Sequence, residues 1–356
     1  MLRTAVGLLT ATALLLGAWP ASAPAGAAEP ERALTAIQKR EVADLLEKFH
    51  RTRETPDEQA KVVSQLIEIG GPAPAMLLEA VSRELQFLTA RYQAEFFKQA
   101  LALFAKAHAE DASQIDSLRQ TVLGLGKDAG LTHEAIVAKA DPAMKRLGQL
   151  LKIDRAEVLK QAPALQTERK ELTELGRLRQ RVADVVAKGA ATPEAPGPPQ
   201  FEDVLRGEEE ACALLVFAPD DSRRKILMAN AALEPKLQVE EARGIRDLNR
   251  IRLWLGLKPL KIDVALCEAA RDHSKDMVEK KFLGHDSPVP GKRTPWDRAK
   301  NFGTSAGAEN ITGGADTGAA ANDIWFHSPG HHMNMLGKHS RVGLGQCKQT
   351  WTQMFG

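Results

Sequence analysis

One segment, "AKGAATPEAPGPPQ" (residues 187–200), divides the sequence more sharply than any other feature. Pro193, Pro196, Pro198 and Pro199 fix their backbone angles and remove four amide donors, so neither a helix nor an inner strand continues through it. Such a stretch is a semi-stiff spacer. We read 189–201 as the boundary between a helical region at 28–188 and a different texture beyond, where 202–236 forms a helical lead-in to a last domain at 237–356.

The region before the spacer has helical period almost throughout. In "ETPDEQAKVVSQLIEI", Thr55 is placed as an N-cap, Pro56 at the first helical position, and Asp57 and Glu58 at the positive end of the helix dipole. "GGPAPAM" breaks that helix and a second follows, which resembles one HEAT-type repeat. No second copy recurs at a fixed period, so the expectation is a helical bundle rather than a solenoid. Tyr92, Phe96, Phe97 and Phe104 cluster in an apolar helix and are read as core. Leu172, Leu175 and Leu178 mark the apolar side of an otherwise charged, exposed helix.

The first residues read as an export signal: Met1-Leu-Arg, an apolar run from Ala5 to Trp19, then small residues, with cleavage expected after Ala27. No later segment is apolar enough to span a bilayer. A net charge of +2 gives no warrant for a nucleic-acid partner. Export would take Cys212, Cys267 and Cys347 into an oxidising compartment, where one pair can close; the sequence does not select among the three pairings. They lack the CxxC spacing of a cysteine zinc site.

Beyond Leu237, "EEARGIRDLNRIRLWLG" and "VALCEAARDHSKDMVEKKF" are amphipathic helices, the first ended by Gly256. "RVGLGQC" and "TWTQMF" read as closing antiparallel strands, which makes the domain α+β. "LNRIRLWLGLKPLKID", "GHDSP", "AENI", "SPGHHMNML", "VGLG" and "WTQMF" stand in the order found in bacterial members of the CAP superfamily, which includes cysteine-rich secretory, antigen-five and pathogenesis-related proteins. The last 120 or so residues resemble that family. The resemblance implies a CAP-type α–β–α sandwich in an exported protein and is silent about the helical region.

It also implies a cleft carrying two histidines and two glutamates able to hold a divalent cation such as zinc. By position these are His285 of "GHDSP", Glu309 of "AEN" and His331 of "PGHH". The second glutamate is missing: Phe326, His327 and Ser328 follow Trp325. His327 is a possible fourth ligand, and Asp323 the nearest alternative acid. Imidazole and carboxylate donors suit zinc, and a carboxylate beside a histidine also suits general-base chemistry. Ser328-Pro329 reads as a helix start, putting His331 and His332 on different faces, with His332 at the surface. His273 and His339 are read as surface or capping residues, and Trp296 as structural. Asp286 and Ser287 beside His285 are too close in sequence to build a catalytic triad.

Three functions stay open at this level. The first is an exported binding module taking a cation, a small apolar ligand or a cell-envelope component, its helical region contacting another protein. The second is a metal-dependent hydrolase of protease or nuclease class using His285, Glu309 and His331. The third is a purely structural or interaction protein.

Overall fold

A computed structural model describes residues 33–52, 55–126, 128, 130–188 and 201–356. The expected leader at 1–27, and the spacer as far as Gln200, lie outside the described residues. The chain forms two compact units, each drawn from two stretches: Met1–Phe96 with Ala156–Glu210, and Phe97–Arg155 with Ala211–Gly356. This partition cuts across the serial order of segments, because residues 97–155 belong with the C-terminal domain.

The first unit is helical. α1 (Ala36–Arg51) starts at a capping box in which Gln38 N donates to Thr35 Oγ1 and Thr35 N donates to Gln38 Oε1. α2 (Pro56–Ile69) starts where expected, but Thr55 makes no side-chain cap and its hydroxyl donates to Thr52 O instead. α3 (Ala73–Leu125) contributes its first part here. α4 (His133–Leu150) belongs to the second unit, and α5 (Arg155–Gln161) leads to α6 (Pro163–Lys188) in the first. Leu172, Leu175 and Leu178 of α6 are buried, as their spacing indicates. Tyr92 is buried too, its hydroxyl donating to Glu209 Oε1 at 2.7 Å.

The second unit is a three-layer sandwich. α7 (Phe201–Val216) begins in the first unit and ends in this one, and α8 (Asp221–Leu233) leads into α9 (Val239–Trp254). Then follow β1 (Lys261–Ile262), α10 (Val264–Lys280), α11 (Pro295–Asn301), β2 (Ala308–Gly313), α12 (Gly318–Phe326), α13 (Pro329–Leu336), β3 (Arg341–Cys347) and β4 (Thr350–Phe355). The sheet order is β1-β3-β4-β2. β3 and β4 pair antiparallel from Val342–Phe355 to Cys347–Thr350, β2 runs antiparallel to β4, and β1 parallel to β3.

Alternation along β3 assigns its two faces. Leu344 points to α9, where a Cβ on Gly244 would lie 2.5 Å from its side chain. Gly343 and Gly345 meet α10 backbone to backbone: a Cβ would fall 2.2 Å from Leu266 C and 2.0 Å from Arg271 N respectively. The "VGLG" pattern is thus large residues toward one helical layer and none toward the other. Asn230 of α8 completes the edge of the sheet, donating to Leu260 O and accepting from Ile262 N, both at 2.8 Å.

Residues 97–155 share the sandwich's core. Ile115, Val122 and Leu125 of α3, and Ile136, Ala140, Ala143 and Leu147 of α4, belong to one buried cluster with Ile245, Leu248, Trp325, Phe326, Val342, Leu344 and Trp351. Cys212 and Cys267 are buried and Cys347 half-buried, and no disulfide joins these three described residues. Burial pushes the Cys267 thiol up to about 12. No described helix is long and apolar enough to cross a membrane.

Candidate functional site

The three cleft residues come from three elements and meet. His285 lies in the loop after α10, Glu309 on β2, and His331 in the first turn of α13. His285 Nδ1 donates to Glu309 Oε1 at 2.9 Å, and the two imidazole rings stand 6.4 Å apart, centre to centre. The His285 side chain is 50% exposed, whereas that of Glu309 is 1% exposed.

The dominant partner of Glu309 is a residue that no sequence motif flagged. Arg298 of α11 is fully buried, and its Nη2 bridges both carboxylate oxygens, at 2.8 and 2.7 Å. Its Nη1 donates to the carbonyls of His285, Lys292 and Arg293, each at 3.0 Å. The loop carrying His285 is wrapped around this guanidinium. The only sequence signal was register: in the helix started by the Thr294–Asp297 capping box, Arg298 follows Pro295 by three residues, and both are buried.

A buried amide chain supports the other side of β2. Asn334 Nδ2 donates to Asn310 Oδ1 (2.9 Å), Asn310 Nδ2 to Gln353 Oε1 (3.0 Å), Gln353 Nε2 to Asn322 Oδ1 (3.1 Å), and Asn322 Nδ2 to Gly244 O (2.8 Å) and Asp247 Oδ2 (3.1 Å). Asn310 and Gln353 are register partners in the sheet, so the link between them is built in by strand pairing. The "AENI" asparagine is therefore architecture beside the site.

The two cleft histidines are pushed apart electrostatically. The Glu309 hydrogen bond raises the pKa of His285, against some burial. Burial, and then the charge of His285, lowers that of His331. His331 Nδ1 is buried with no hydrogen-bond partner among the described residues.

His327 does not join them. It caps the end of α12, where its Nδ1 donates to Asp323 O at 2.7 Å and its Nε2 to Asp141 Oδ1, on α4, at 2.8 Å. Asp323 is 76% exposed and 3.6 Å from that same ring. With a permanently charged guanidinium on both oxygens of Glu309, the remaining donors do not fit a three-ligand zinc site. Among the described residues no three His, Cys, Asp or Glu side chains are gathered to hold a metal.

Several neighbours differ from expectation. His332 is fully buried rather than at the surface, because the inner face of α13 is set by His332 and Met335. Its Nδ1 donates to Phe326 O at 2.7 Å and its ring packs on Phe326. His273 is also fully buried; its Nε2 donates to Gly284 O and burial lowers its pKa to about 4. His339 is half-buried, stacked on Phe355. Trp296 stands 59% exposed near the start of α11. Ser287 Oγ accepts from Val289 N, and Asp286 pairs with Arg293, so both belong to loop structure.

Comparison with known proteins places these residues in a family. Residues 245–355 match the model for CAP, the cysteine-rich secretory protein family. Over 120 residues the chain is 38% identical to YkwD of Bacillus subtilis, described as uncharacterized; the match covers 32% of this chain and 46% of YkwD. The chain thus spans just under half the length of that relative. Among solved structures, an extracellular protein containing an SCP domain from Bacillus anthracis is 28% identical, covering 35% of this chain and 42% of its own, with a TM-score of 0.32. An outer surface protein of Borrelia burgdorferi is 19% identical, covering 32% of this chain and 87% of its own, with a TM-score of 0.29. The C-terminal third of this chain, residues 245–355, is a bacterial CAP domain.

Proposed function

We propose that the protein is an exported binding module whose CAP cleft, faced by His285 and His331, takes a cell-envelope component or a small apolar ligand. The observation that carries this reading is the Arg298–Glu309 contact. A metal hydrolase needs its cleft carboxylate as a ligand or proton carrier, and a buried guanidinium bridging both oxygens makes Glu309 poor at either task. The leader-like sequence before Ala28 supports export.

The test is co-sedimentation of the mature protein with cell-envelope fractions and lipid vesicles, beside a His285→Ala/His331→Ala variant, with zinc calorimetry on both. Binding by the wild type and its loss in the folded variant is the expected result. No binding to any fraction, with only a lower Tm in the variant, overturns the reading in favour of a structural role.

A hydrolase is the second reading, and one observation favours it: His285 and His331 have pKa values shifted in opposite directions, as an acid–base pair requires. Stoichiometric zinc binding together with turnover lost in a folded Glu309→Ala variant establishes it. Equal turnover in that variant removes it.

A further inference from the structure

The turn between α12 and α13 delivers His331 to the cleft, and it is clamped from both sides. From α13, His332 Nδ1 donates to Phe326 O. From α4, which lies outside residues 245–355, His133 Nδ1 donates to His327 O at 2.9 Å and Asp141 accepts from His327 Nε2 at 2.8 Å. Among the described residues Ser328, the N-cap of α13, makes no side-chain cap bond, so the turn's local hydrogen bonds come from its backbone and from His332.

We propose that Asp141 and His327 are positioning residues for the cleft: α4 fixes the α12–α13 turn and thereby the placement of His331.

Both ring nitrogens of His327 face oxygens without protons, a carbonyl and a carboxylate. Both bonds are made together only when both nitrogens carry a proton, that is, in the imidazolium form. A neutral ring keeps only one of the two bonds, so the clamp depends on the carboxylate opposite. The charged and titratable groups facing it are Asp141 and His133 from α4, Asp323 on its own helix and His332 from α13. Burial opposes the charge on His327, but its hydrogen bonds to Asp141 and the Asp323 carbonyl, with the negative charges of the two carboxylates, outweigh it and raise its pKa. The pair joins residues 186 apart, so nothing local in sequence supplies it. A stretch of the helical region thereby acts on the cleft without touching it.

The inference rests on His331 being a cleft residue. Its test reads the His331 ring directly in the full chain, with no ligand, so it stands or fails separately from the binding proposal. Histidine ring carbon signals are compared by NMR in wild type, Asp141→Ala, Asp141→Asn and Ile136→Val. The last disturbs the buried core of the same helix without touching the clamp. Asp141→Ala is expected to shift the His331 signals, Asp141→Asn to return them most of the way through its neutral acceptor, and Ile136→Val to lower Tm while leaving them in place. His327→Gln serves as the second route if Asp141→Ala does not fold, with the same shift expected. Unmoved His331 signals in the folded Asp141 or His327 variant overturn the proposal. So does an equal shift in Ile136→Val, because Asp141 then acts only through stability.

Discussion

A single nitrogen of Arg298 bridges both carboxylate oxygens of Glu309, at 2.8 and 2.7 Å, with both side chains almost completely withdrawn from water. The pair ties α11 to β2, and the same guanidinium holds three carbonyls of the loop that precedes α11. Cleft geometry and local stability therefore rest on one contact.

Arg298→Met is expected to destabilise the protein by about 3–5 kcal/mol, because it leaves a buried carboxylate without its counter-charge. Arg298→Lys should restore little, since a compact ammonium cannot serve the carboxylate and three carbonyls together. Urea denaturation of the three proteins at neutral pH measures both effects. A loss below about 1 kcal/mol in Arg298→Met would show that water reaches Glu309.

His273 should make the domain sensitive to acid. Burial lowers its pKa from 6.5 to about 4, so the unfolded chain takes up a proton between those values while the folded chain does not. The stability it permits is fully present above pH 6.5 and is lost as pH falls toward 4, a decline of roughly 3 kcal/mol. In His273→Phe the difference between denaturation at about pH 7 and at about pH 4.5 should shrink. An unchanged difference would assign the acid sensitivity to other groups.

The cleft histidines should titrate on opposite sides of 6.5. His285, held by Glu309, keeps its proton above that value, and its contribution to stability is present below pH 6.5 and lost as pH rises through its raised pKa. His327 has the same sign because of Asp141. His331 has the opposite one: its contribution is present above pH 6.5 and lost as pH falls through its lowered pKa. Ring-signal titration by NMR separates the three, and Glu309→Gln should bring the His285 midpoint down. Coincident midpoints for His285 and His331 would contradict the arrangement.

Gly345→Ala tests how the layers pack. The added carbon falls 2.0 Å from Arg271 N and 2.4 Å from Ala270 C, both backbone atoms that no side-chain rotation relieves. We expect a loss of about 4 kcal/mol or more, among the larger single-residue effects, seen as a collapse of Tm or insoluble expression. A near-normal Tm would mean that α10 moves off the sheet at little cost.

The sequence by itself determined most of the secondary structure and the α+β class of the last domain, while His285, Glu309 and His331 were singled out by the family resemblance of their motifs. The elements and the class follow from periodicity and caps, and the resemblance from ordered short motifs, all of them local properties. The β3–β4 hairpin was visible for the same reason. Tertiary structure alone decided what surrounds those positions. Arg298 looked like one basic residue among several until helix register and loop closure buried it against Glu309. His332 and His273 read as surface histidines because nothing local distinguishes a histidine on a buried face. His327 was read as a possible ligand, and its partner lies 186 residues away on α4. Burial, charge pairing and the packing of residues 97–155 against the CAP domain are set by which surfaces meet in three dimensions, and no short window of sequence contains both.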